Sequence, residues 1–117
     1  MKVLTKDLIG PALDWAVASS DGRPRNVRTF QAGYFDYSMY HYSTDWAQGG
    51  PIIEREGITT SKTAHGFWEA YKRPASLQES YQTDNKPLIA AMRCYVASKL
   101  GEEVDVPEEL CGGIHGL

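Results

Sequence analysis

The sequence predicts an α+β domain: an N-terminal helix, a small antiparallel sheet, and a long C-terminal helix packed on that sheet. Three observations carry the prediction. Residues Pro87 to Leu100 form an apolar stripe at helical spacing, opened by proline and closed by Gly101. A shorter stripe surrounds A-L-D-W-A-V-A at residues 12–18. Between the two stripes lie short β-branched and aromatic runs punctuated by glycines, the pattern of a small sheet with about three to five strands.

In chain order, the first organised segment is Leu4 to Ser20, where Thr5 is placed to cap a first helical turn. Gly10-Pro11 interrupts that turn, and proline suits the first position of a new helix. Ile9, Leu13, Ala16 and Val17 recur at spacings of three and four, which sets one apolar face. Asp21-Gly22 ends the helix, with glycine fitted to a left-handed cap. Arg23 to Gln31 reads as a loop entering a strand at Val27, Thr29 and Phe30, with Gly33 as a turn. The next run, Tyr34 to Tyr42, alternates Phe35, Tyr37, Met39 and His41 against Tyr34, Asp36, Ser38, Tyr40 and Tyr42; it reads as a strand with both faces partly covered.

Ser43 or Thr44 is expected to cap a short helical turn, with Asp45 favoured at its positive end and Gly49-Gly50-Pro51 stopping it. Ile52 and Ile53 then enter the core, Glu54, Arg55 and Glu56 return to water, and Gly57 turns the chain. Ile58–Thr63 and Phe67–Tyr71 read as strands joined at His65-Gly66. Pro74 to Lys86 is polar and aperiodic, the mark of a surface loop. In the C-terminal helix, Leu88, Ile89, Met92, Tyr95, Val96 and Leu100 make the apolar stripe, and Lys99 complements the helix dipole. Residues 1–110 are expected to form one compact domain and residues 111–117 a flexible tail.

A chain of 117 residues with 42% hydrophobic and 23% charged residues is ordinary globular material. The net charge of −3 disfavours duplex nucleic acid as a partner; the exception is the cluster Arg23, Arg25 and Arg28, which reads as a solvated turn or, less favoured, a phosphate contact. No apolar run approaches the ~20 residues that cross a bilayer, so no membrane partner is expected. The N-terminal M-K-V-L-T-K-D lacks the apolar core of a secretory signal, which places the protein in the cytoplasm of the cell that makes it. Cys94 and Cys111 fit a reducing compartment and form no C-x-x-C pair.

Three blocks together resemble the NinX-like proteins of bacteriophages and prophages, a family of unknown function. They are A-L-D-W-A-V-A at 12–18, Y-S-T-D-W-A-Q-G-G-P-I-I-E-R-E at 42–56, and P-L-I-A-A-M-R-C-Y-V-A-S-K-L-G at 87–101, followed by E-V-D-V-P. They cover about a third of the chain. Residues 30–42, 73–86 and the C-G-G-I-H-G-L end carry no such likeness. The resemblance implies a phage origin and a compact α+β fold, which makes the expected cytoplasm that of a host cell. It supplies no reaction.

The strongest candidate site is Asp45-Trp46-x-Gln48-Gly49-Gly50. Paired glycines let a ligand approach the backbone, a tryptophan offers a stacking face, and Asp and Gln offer orienting hydrogen bonds. That set suits a planar polar molecule such as a nucleotide. An ordinary helix cap and turn, with Trp46 as a core anchor, uses the same residues. The segment is neither a Walker loop nor G-x-G-x-x-G. Tyr42, Trp15 and Arg93 complete the candidate set. Trp15 lies off its helix stripe and packs in the core, against a partner or on a ligand; Asp14 beside it binds a ligand hydroxyl or faces water. Arg93, at the edge of the apolar stripe, pairs with a carboxylate (Glu54 or Asp45) or offers a fork to an anion.

His41, His65 and His115 lack metal-ligand spacing, and no cofactor is implied. No G-x-S-x-G is present, and Cys94 sits mid-helix as a packed thiol. Three functions follow. The first is a non-enzymatic phage accessory protein that binds a small nucleotide-like molecule, such as a host signal. The second is an adaptor for a host or phage protein, using the Tyr34–Tyr42 strand and the Trp15 face. The third, held lowest, is an enzyme acting on nucleotides or sugars. Tyrosine-rich strands and spare tryptophans also favour a homodimer.

Overall fold

A computed structural model describes residues 1–22, 40–72 and 80–112. Its organising element is the C-terminal helix. Along the chain come β1 (Lys2–Leu4), a 3-10 turn (Thr5–Asp7), α1 (Gly10–Ser20), α2 (Trp46–Glu56), β2 (Ile58–Lys62), β3 (Trp68–Lys72), β4 (Gln82–Asp84), α3 (Pro87–Leu100), β5 (Glu103–Asp105) and a second 3-10 turn (Glu108–Leu110). The class is α+β, as the sequence predicts.

The boundaries of α3 match the sequence reading from Pro87 to Leu100. Its burial does not match a single stripe. Leu88, Ala90, Ala91, Met92, Arg93, Cys94, Tyr95, Val96 and Ala97 are all buried, while Ile89 and Leu100 are only partly covered. A helix apolar nearly all round is a core helix. α1, α2 and the sheet strands β2, β3 and β4 all pack against it. Its three buried alanines let those neighbours come close, and Met92, Tyr95 and Val96 fill the space between, each worth about 1.5–3 kcal/mol of burial.

α1 starts where Gly10 takes a positive φ of 58° and Pro11 follows in the first turn. Leu13, Ala16 and Val17 are fully buried, as their spacing predicts. Ile9 is a correction: it precedes the helix in extended backbone at φ −144° and is 44% exposed, so it leaves the apolar face. Asp21 caps the C-terminus and Gly22 adopts the left-handed conformation at φ 71°.

Three short strands, β1, β4 and β5, escape sequence reading. β1 pairs antiparallel with β5, Val3 facing Val104 across the ladder. Thr5, expected as a helix cap, is buried instead; its hydroxyl donates to Gly101 O at 2.6 Å and its N–H to Glu102 O at 2.8 Å. The stretch after Gly101 is therefore partly a strand, and Val106, Leu110 and Cys111 beyond it are buried. The second sheet has the order β2-β3-β4, all antiparallel. β2 and β3 form the expected hairpin around Gly66, and Ala70 at its centre is fully buried. β4 lies inside the stretch expected to be a loop.

The largest correction concerns α2. The sequence reading stops a short turn at Gly49-Gly50-Pro51, yet the helix runs through Pro51 to Glu56 and ends on Gly57 at φ 65°. An interior proline removes one hydrogen bond and strains the residue before it. Here that residue is Gly50, whose missing Cβ relieves the clash that disfavours helical backbone before proline. The carbonyl left without an amide partner belongs to Ala47, which is exposed to water. Of the expected Tyr34–Tyr42 strand, residues 34–39 lie outside the described residues; Tyr40 and His41 are irregular and Tyr42–Thr44 form a turn. No helix among the described residues is long and apolar enough to cross a membrane.

Candidate functional site

The turn from Tyr40 to Asp45 delivers the chain onto α2 and is held at several points. Asp45 is the N-cap, its carboxylate accepting from Ala47 N at 2.9 Å. Ser43 and Thr44, the expected caps, do other work. Thr44 N and Asp45 N both donate to His41 O, and His41 N donates to Gln48 Oε1 at 2.8 Å, so turn and helix are reciprocally bonded. Ser43 N donates to Asp14 Oδ1 on α1 at 2.9 Å. Asp14 is therefore turned inward: it is 6% exposed, and burial raises its carboxyl above the ordinary range, opposed by Ser43 and the charge of His41. The Ser43 hydroxyl is buried beside it without a geometrically sound hydrogen bond.

Gly49 is the point of closest approach. A Cβ there would run into the backbone carbonyl of Tyr42 and meet Leu88 Cδ1 at 2.7 Å. Its N–H is bonded to Asp45 O at 2.9 Å. Gly49 thus seats α2 against α3 and has no amide to offer a ligand. A Cβ on Gly50 would meet nothing within 4 Å. Tyr42 is 7% exposed, and its ring stacks on Tyr40 at 5.9 Å with 13° between planes.

Trp46 departs most from the core-anchor expectation. It opens the first turn of α2 and is 53% exposed. Trp15 is the reverse: it is buried at 9% exposure, so the Trp15 face of α1 is not an open surface. The structure brings Tyr42, Asp45, Trp46, Gln48, Gly49 and Gly50 together on one turn and helix start. Arg93 finds its partners elsewhere. Nε donates to Leu8 O at 2.8 Å, and Nη1 donates to Thr83 O and Asp84 Oδ1, both at 3.0 Å. Its carboxylate is Asp84, not Glu54 or Asp45. A nearly buried guanidinium with these bonds staples the start of α1 to β4 through α3.

A second polar cluster was not anticipated. Glu56, read as a solvated charge, receives Lys72 at 2.9 Å, Arg55 at 3.0 Å and Lys99 at 3.7 Å. The Lys72 hydrogen bond, followed by Arg55 and the two lysine charges, lowers its carboxyl to about 2 against the cost of burial. Arg55 reaches Asp21 at 2.7 Å and Tyr95 Oη at 3.2 Å, and Tyr95 in turn donates to Asp21 at 3.1 Å. Burial, then the Asp21 carboxylate, pushes the Tyr95 phenol up to about 12. The cluster ties the ends of α1 and α2 to β3 and α3. Its signal in sequence was slight, because its members come from four separate stretches. Cys94 and Cys111 are buried thiols, both raised by desolvation. Among the described residues no group of three His, Cys, Asp or Glu side chains could hold a metal ion.

The described residues define a small α+β domain with an indole left outward on a capped helix start. Its lineage is specific. The family described as Bacteriophage P22, NinX matches residues 5–99, and the chain belongs to that family. The match spans α1, α2, the three-stranded sheet and nearly all of α3. No curated protein matches the chain.

Proposed function

We propose that this NinX-family protein acts by binding, and that its contact surface is the start of α2, centred on Trp46. The observation that carries the reading is the exposure of that indole, 53%, on a turn fixed by Asp45, Gln48 and Asp14. Exposed tryptophan costs solvation free energy, and tryptophan is the residue type most enriched among the few that dominate protein interfaces. A rigid turn lowers the entropy lost on docking. The partner is a host or phage protein. A nucleotide held by the glycines has less support, because the Gly49 amide is used inside the helix and its Cβ position is filled by Tyr42 and Leu88.

Affinity capture from phage-infected host cells tests the reading, with the native chain and Trp46→Ala as parallel baits. A stoichiometric partner retained by the native chain and lost by Trp46→Ala supports it. A partner held equally by both, or no partner, counts against it. Thermal stabilisation by a nucleotide that disappears in Trp46→Ala would move the reading to a small planar ligand at the same turn.

A further inference from the structure

We infer that the cleft between β4 and the turn after β1 is a second binding site, separate from Trp46, and that it takes a small zwitterion of the amino-acid class. The cleft has a volume of about 440 Å³ and is lined by Leu4, Lys6, Tyr81, Gln82, Thr83 and Glu102. Sites for small molecules span about 300–1,000 Å³. The space is ample for an amino acid with a large side chain.

Its walls are braced. On one side, Thr5 bonds Gly101 O through its hydroxyl and Glu102 O through its amide. Lys6 and Glu102 thereby project from backbone positions fixed relative to each other. On the other side, Arg93 ties Thr83 O to Leu8 O, so β4 is anchored to the segment that carries Lys6. Tyr81 is held by its hydroxyl, which donates to Glu69 Oε2 at 2.7 Å, while the other oxygen of Glu69 accepts from Ser61 at 2.9 Å. Tyr81 is 37% exposed and forms part of the wall.

The charges select the ligand. Lys6 and Glu102 line the same cleft, yet among the described residues neither forms an ion pair with the other or with any other group. Lys2 and Glu103, on the neighbouring β1–β5 ladder, do pair at 3.6 Å. Lys6 and Glu102 thus present, on one wall, a cation and an anion that are not bonded to each other. A molecule with a carboxylate for Lys6 and an ammonium for Glu102 satisfies both without leaving either charge unpaired. Gln82 and Thr83 add polar groups to the lining, and Leu4 with Tyr81 offers apolar surface for the ligand's side chain.

The test is an amide-shift titration of the isotope-labelled full chain with phenylalanine, N-acetylphenylalanine and phenylalanine amide. The second probe lacks the ammonium and the third lacks the carboxylate. Phenylalanine should move the amides of Lys6, Gln82, Thr83 and Glu102 together, and each single-charge probe should bind about tenfold more weakly, the loss of one ion contact. Lys6→Met should abolish the preference for phenylalanine over its amide; Glu102→Gln should abolish the preference over the N-acetyl form. Both positions are exposed, and unchanged spectra elsewhere establish that the variants fold. Silent amides at these four positions up to about 10 mM probe, equal binding of all three probes, or preferences that survive both substitutions would overturn the assignment.

Discussion

Replacing Gly49 by alanine should destabilise the protein, and replacing Gly50 should not, although the two glycines are adjacent in one helix. On propensity alone each change gains about 1 kcal/mol, since alanine loses less backbone entropy. Space reverses the sign at Gly49. The new Cβ would collide with the Tyr42 carbonyl and meet Leu88 Cδ1 at 2.7 Å. Leu88 can shift by rotation, but the Tyr42 carbonyl belongs to a turn whose neighbour Ser43 is bonded to Asp14 and whose other neighbour, His41, is bonded to Gln48. Overpacking of this kind costs about 1–3 kcal/mol and can exceed that when backbone must move. Because the obstructing carbonyl is backbone held on both sides, the cost falls at the upper end, about 2–3 kcal/mol, so the net expectation for Gly49→Ala is a loss of about 1–2 kcal/mol, or a fall in Tm of roughly 4–8 °C for a chain of this size. At Gly50 nothing lies within 4 Å of the new methyl, and the remaining cost is the clash with the Pro51 ring. Gly50→Ala should stay within about 1 kcal/mol of the native chain. Urea denaturation and a thermal scan of the two variants decide it. Equal stabilities, or a more stable Gly49→Ala, would refute the claim that Gly49 is a packing residue.

The other polar contacts make further predictions. Arg93→Met should cost about 3–5 kcal/mol, because it strands the Leu8 and Thr83 carbonyls and the Asp84 carboxylate, and urea unfolding should place Arg93→Lys between it and the native chain. Glu56 has a folded pKa of about 2 against an ordinary 4.5, so its stabilisation is fully present above the unfolded value and is lost as pH falls from about 5 toward 2. Stability measured across that window should fall less steeply in Glu56→Gln than in the native chain. Tyr95→Phe should cost about 1 kcal/mol by urea denaturation, through loss of the hydroxyl shared by Asp21 and Arg55. Asp14→Asn keeps an oxygen for Ser43 N and removes a buried charge, so its thermal midpoint should stay near native, whereas Asp14→Leu should lose about 1–3 kcal/mol.

What could be read in advance followed the range of the forces involved. α3 was legible end to end because Pro87, the apolar spacing and Gly101 are local signals. The β2–β3 hairpin was legible from Ile58, the Gly66 turn and the aromatic run after it. β1, β4 and β5 were not, since three-residue strands such as Gln82–Asp84 have too little pattern to declare themselves, and β1 finds its partner about a hundred residues away. α2 was misread because Gly-Gly-Pro is a stop signal on local rules; the tertiary contact at Gly49 and the absent Cβ at Gly50 outweigh those rules. At the candidate site the segment was legible in the sequence, as was its alternative reading as a helix cap and turn; the partners of its side chains were not. The glycines serve packing and helix continuity, Gln48 and Asp14 serve the turn, and Arg93 belongs to a staple across the fold. Exposure separates Trp46 from Trp15, and exposure is decided by neighbours far away in the chain.

The measurement that bears most directly on the account is the affinity of the captured partner for two variants of this protein, determined by titration calorimetry. Trp46→Ala should weaken binding at least about thirtyfold, the loss of a dominant interface residue. Glu54→Ala, at an exposed position further along α2, should bind like the native chain. An unchanged affinity for Trp46→Ala would contradict the claim that the start of α2 is the surface through which this protein works.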